Sequence, residues 1–213
     1  MTNQTQIRAH VARGFAVVAK QAGEPAQWYR PNGITNPIVP ANLLGTVQLY
    51  ADSNPNLMAA APLKFASPTL FAAFDSTLGV VPGDYLQDSV WGMTFVASME
   101  PFRPAFLARC SGTVTLLRGT QGDAYGNATR DTLASGWPCA IDVAKGRASV
   151  SPMRLPNNPR MAGAVIMLPV SFPAQPRPGD TLVDMQTVPM EYLIEGADLS
   201  TEGWLLTTST RAP

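Results

Sequence analysis

A chain of 213 residues is long enough for one sizeable core or for two small β units in tandem. Fifteen basic residues balance fifteen acidic ones, and charge makes up 14% of the chain against about 25% in ordinary soluble domains. The balance excludes the basic stripe that grips nucleic-acid phosphates, so no sequence-specific nucleic-acid partner is expected.

A surface so poor in charge suits subunits that cover one another, or else a charge-poor monomer. Met1 to Gln6 are polar and no apolar run follows them, so no secretory leader is read there. Residues 4 to about 22 form the one clear helix. Ile7, Val11, Phe15 and Val18 recur at spacings of four, four and three and make one apolar stripe. Gly23 and Pro25 then supply the stop. Such a helix can dock on its own sheet or on a neighbouring subunit.

Beyond it lie short apolar runs broken by Pro, Gly and Asn. Proline is twenty residues strong, roughly twice its usual share of about 5%. Pro31–Ala51 lacks charge but holds three prolines, so it reads as loop and strand; no membrane span is expected. Strands are expected at 26–30, 43–50, 94–99, 106–110, 112–118, 164–170, 190–194 and 203–208. Loops are expected at 31–42, 52–69, 119–136 and 150–160.

One motif occurs twice. Val81-Pro82-Gly83-Asp84-Tyr85-Leu86-Gln87-Asp88 returns as Arg177-Pro178-Gly179-Asp180-Thr181-Leu182-Val183-Asp184, and an aromatic strand follows each. Proline presets the turn, glycine permits positive φ and aspartate bonds back to the backbone. The repeat suggests two related units at about 65–118 and 161–209, although turn chemistry alone can also produce it. The fold class read from these features is mainly β, with one or two small barrel or sandwich units and an N-terminal amphipathic α-helix. Residues 1–64 are assigned to the helix and an extended region, 65–150 to a first β unit and 151–213 to a second.

Little here points to catalysis. His10 is the only histidine, and no GxSxG or catalytic-cysteine pattern accompanies it. Cys110 and Cys139 match no zinc spacing and read as free thiols, with a bond between them left open. Asp84 with Asp88, and Asp180 with Asp184, are spaced as paired carboxylates, yet each flanks a turn where aspartate has a backbone role. No catalytic, cofactor or metal site is assigned. Trp28, Tyr29, Arg30 and Phe15 are the interface candidates, since Trp, Tyr and Arg are enriched at binding hot spots; the other reading places one ring in the core.

The order of these features resembles a family of structural proteins encoded in the morphogenesis clusters of tailed phages and proteobacterial prophages. The resemblance rests on Trp28-Tyr29-Arg30-Pro31 after the helix, Asn36-Pro37-Ile38-Val39-Pro40, the Val81–Asp88 turn and Thr94-Phe95-Val96-Ala97. Pro101–Pro104, Arg109-Cys110, Gly136-Trp137-Pro138 and Gly179-Asp180 with Gly203-Trp204 continue it. The C-terminal unit also resembles the small barrels of phage head–tail joining proteins. The resemblance implies a non-enzymatic virion part without cofactor: a homo-oligomeric ring or tube, six-fold or twelve-fold, joined to neighbouring neck or tail proteins. Its alternative is a baseplate or fibre-attachment protein that binds another tail protein or a host glycan.

Overall fold

The structure is a computed structural model that describes residues 3–53, 69–120, 129–143, 163–186 and 189–211. The described residues form one α-helix, α1 (Asn3–Ala22), two short 3-10 helices (Pro40–Asn42 and Ser76–Leu78) and twelve strands in two closed antiparallel barrels. The first barrel contains β1 (Glu24–Tyr29), β2 (Leu43–Asp52), β3 (Thr69–Ala73), β4 (Tyr85–Gln87), β5 (Met93–Ser98) and β6 (Ala105–Arg109). The second contains β7 (Gly112–Gly119), β8 (Arg130–Val143), β9 (Ala164–Leu168), β10 (Thr181–Asp184), β11 (Glu191–Ser200) and β12 (Gly203–Arg211).

The two barrels repeat one topology. Around the first, the strands run β1-β2-β3-β6-β5-β4; around the second, β7-β8-β9-β12-β11-β10, the same circuit. Registers agree as well. Trp28 faces Leu86 and Leu86 faces Thr94 in the first barrel; Leu116 faces Leu182 and Leu182 faces Tyr192 in the second. Val96 opposes Leu107 as Ile194 opposes Thr208, and a register shift follows both Val96 and Ile194. A bulge kept at the same place marks a shared design of strand pairing.

These strands divide at residues 110–111, and not at 64 and 150. The reason is packing: β1 and β2 carry Trp28, Val47 and Leu49 into the first barrel's interior, while β7 opens the second circuit. Strands reach into segments read from sequence as loop: β3 enters 52–69 by Thr69 alone, and β8 begins inside 119–136. In β8, Gly136 at φ +69° and Pro138 mimic a turn, yet they sit in a long strand whose register shifts beside them. The loop expected at 150–160 lies outside the described residues.

Alternation of side chains explains how the barrels join. In β5, Val96 points into the first barrel with Trp28, Leu70, Leu86 and Leu107. Its neighbours Phe95 and Ala97 point outward, as do Tyr29, Tyr85 and Phe106, and all of them share one buried cluster with Trp137, Met167 and Phe172 of the second unit. Tyr85 and Trp137 lie 6.3 Å apart edge to face, and Trp137 and Phe172 5.2 Å apart. Polar bonds close the rim: Tyr85 donates its hydroxyl to the Pro138 carbonyl at 2.7 Å, and Ser171 donates to the Gly83 carbonyl at 2.7 Å. Trp137 Nε1 donates to the Ile34 carbonyl at 3.2 Å. Each large side chain buried this way stabilises by about 1.5–3 kcal/mol. The barrel–barrel junction is core.

Candidate interaction surface

The interface candidates separate once their positions are known. Trp28 is 9% exposed and Tyr29 7%, so both rings belong to the interior of the folded chain. Trp28 Nε1 donates to Asp84 Oδ2 at 2.8 Å, and the Tyr29 hydroxyl donates to Gln27 Oε1 at 2.6 Å. Arg30 leaves β1 beside them and stacks its guanidinium 5.2 Å from the Trp28 ring. Phe15 is half-buried under α1 and lines a cleft against the first barrel. None of the four offers a fully open face.

The motif aspartates hold turns. Asp84 is 1% exposed and accepts two bonds from Arg30, one at 2.9 Å from Nε and one at 2.8 Å from Nη2. It also accepts the Val81 amide at 3.0 Å. Arg118 grips Asp180 in the same two-pronged way, at 2.8 and 2.7 Å, and Asp180 accepts the Arg177 amide at 2.9 Å. Each arginine spends its remaining reach on a carbonyl of the preceding loop, Gly79 for Arg30 and Gln175 for Arg118. Bonds to the carboxylates raise both guanidinium pKa values further above their ordinary value. Planar bidentate geometry of this kind fixes orientation as well as charge. Both Pro-Gly-Asp turns are therefore fastened to the first strand of their own barrel by one arginine.

Sequence reasoning found the two turns and missed their arginines. A visible signal existed: Arg30 and Arg118 each stand at the C-terminal end of the strand that opens a barrel. Asp88 Oδ1 accepts the Val90 and Trp91 amides at 2.7 and 2.5 Å, which defines the turn at Ser89–Met93. Asp84 and Asp88 thus serve separate turns and do not converge on a common substrate position.

The cysteines and the other tryptophans lie wholly or partly in the interior. Cys110 and Cys139 are free thiols, and burial pushes both far above the ordinary thiol range. Trp137 and Trp204 are buried like Trp28, and Trp91 is half-buried. Among the described residues, no group of three or more His, Cys, Asp or Glu side chains is placed to hold a metal ion. Nor, among them, is any helix long and apolar enough to cross a membrane.

What the chain does expose is α1. Its inner side meets the end of the first barrel: Val11, Ala12 and Phe15 face Ala72, Phe74 and Ala105 across a cleft of about 260 Å³. Ala19 is buried, and Arg8 stacks 5.6 Å from the Phe102 ring in the β5–β6 turn. Ile7, Val17 and Val18 stay exposed at 50%, 52% and 41%, and of these Val17 lies on the outer side with the exposed Arg13 and Lys20. The expected stripe is therefore split. Val11 and Phe15 pack on the barrel, while Ile7 and Val18 flank the packed side and stay in solvent.

The fold and these contacts define a mainly-β protein of two like barrels with a half-docked N-terminal helix. Compared with protein-family models, with curated proteins and with solved structures, the chain matches none.

Proposed function

We propose that this chain is a non-enzymatic structural subunit of a tailed-phage virion, assembling with its own copies into a six-fold or twelve-fold ring or tube of the neck or tail. One observation carries the reading: large apolar side chains stand open on the helix and on both barrels of a chain with few charges. Ile7, Val17, Leu44, Val90, Met185 and Leu199 are each half exposed or more. Singly, such residues are ordinary; together, on a surface with so little charge to keep it apart from others, they suit faces that neighbours cover. Each strand of the two closed circuits pairs with a neighbour on either side over at least part of its length, which favours association through side chains.

The test is the copy number of this chain in purified particles, measured against the portal subunit by quantitative mass spectrometry. A ratio near one or one half is expected for a neck ring, and a larger multiple of six for a tube. A few copies per particle would assign the chain instead to the baseplate or to a fibre attachment, bound to another tail protein. Absence from the particle would overturn the virion role.

A further inference from the structure

We infer that the exposed side of α1 docks on the β11–β12 hairpin of a second copy, so that copies join head to tail. Charge is the first ground. α1 holds three of the fifteen basic residues, Arg8, Arg13 and Lys20, and no acidic one. The rest of the chain therefore keeps twelve basic residues against fifteen acidic. Two basic helices repel one another, so this face does not pair with its own equivalent; it calls for an acidic partner with apolar surface. The hairpin formed by β11 and β12 has both. Leu199 at its tip is 57% exposed, the largest exposure of any leucine among the buried and exposed apolar residues described; the exposed Asp198 adjoins it, and the exposed Glu195 lies four positions back in the same strand. The other carboxylate of β11, Glu191, is already paired with Arg130 at 2.9 Å.

The second ground is the repeat itself. In the first barrel the counterpart of this hairpin is the β5–β6 turn, and α1 of the same chain already lies on it through its inner side. There, Arg8 stacks on Phe102, and Met99 to Arg103 line the shared cleft. A cation and a row of apolar side chains of α1 thus meet a hairpin end within one molecule. The outer side offers cations and an apolar side chain as well, Arg13 and Lys20 beside Val17, to the corresponding hairpin of the next molecule, where carboxylates and Leu199 take the place of the Phe102 ring. Because the two patches differ, the contact is heterologous, and repeated rotation closes it into a ring or extends it as a tube. The inference deepens the ring reading and rests on it.

Charge reversal tests the contact in the full-length chain. One variant carries Arg13→Glu with Lys20→Glu, the other Glu195→Arg with Asp198→Arg; all four side chains are exposed. Native mass spectrometry and light scattering at low salt should find assemblies for the unaltered chain. Each variant alone should associate at least tenfold more weakly, with unchanged circular dichroism. An equimolar mixture should recover assembly, since each helix then meets a hairpin of opposite charge. If the hairpin variant alone assembles like the unaltered chain, the docking is wrong and the ring reading survives on other contacts. If the unaltered chain stays single at high concentration, the docking and the ring reading both fail.

Discussion

Asp184 is a buried carboxylate whose surroundings favour its neutral form. It is 2% exposed, and its Oδ1 has no hydrogen-bond partner. Burial raises its pKa, and the amides of Gln186 and Met185 offset only part of that effect. Its repeat counterpart Asp88 likewise accepts two amides of its own turn, on Oδ1, and leaves Oδ2 without a partner. A carboxyl whose pKa is raised on folding adds stability that is complete below its unfolded pKa and is lost as pH climbs through the folded value. The window therefore opens near the ordinary value of 3.8 and extends upward from it. Asp184→Asn keeps a carbonyl for the two amides and removes the charge. The substituted chain should lose less stability than the unaltered one between about pH 4 and about pH 7. Urea midpoints at the two pH values measure this, and parallel losses in both chains would contradict it.

At the scale of the element, the two Pro-Gly-Asp turns form a natural control for one another. Gly83 and Gly179 both take φ +93°, so alanine is strained at either. Around Gly179 a Cβ would meet nothing within 4 Å; at Gly83 it would fall 2.8 Å from Ser171 Cβ and Oγ, across the junction with the second barrel. Gly179→Ala should cost about 1 kcal/mol, and Gly83→Ala at least 1–2 kcal/mol more through the displaced contact. Equal losses in thermal melts would mean that the junction yields freely at Ser171.

The turns were legible in the sequence because Pro, Gly and Asp act locally, and the helix because its apolar spacing and its stop signal agree. Most strands followed from their apolar runs. The long β8 did not, since Gly136 and Pro138 announce a break that pairing with β7 and β9 overrides. The arginine clamps were hidden for a different reason: Arg30 reaches Asp84 over 54 positions and Arg118 reaches Asp180 over 62. Only the closed circuit brings them together. Trp28 and Tyr29 carried the composition of an interface, but alternation along β1 sends one ring into the barrel and the other into the junction.

For the whole molecule, the decisive feature is that the first barrel's outer face is the second barrel's core. Positions that repeat from one barrel to the other have diverged in character. Tyr85, Phe95 and Phe106 are matched in the second barrel by Thr181, Leu193 and Thr207. Among the described residues the apolar outer face is therefore made once, and it closes against the second barrel. Trp137 stands at its centre, fully buried between Tyr85 and Phe172. Because that cluster belongs to both units, neither can open without exposing the other. The unaltered chain should unfold in urea in one transition, with tryptophan fluorescence and circular dichroism coinciding. Trp137→Ala removes both ring contacts and the bond to Ile34, at a cost of about 3–5 kcal/mol. It should also part the two probes, because Trp28 reports the first barrel and Trp204 the second. Two transitions already present in the unaltered chain would mean that the barrels fold as separate bodies and that the junction does not bind them into one.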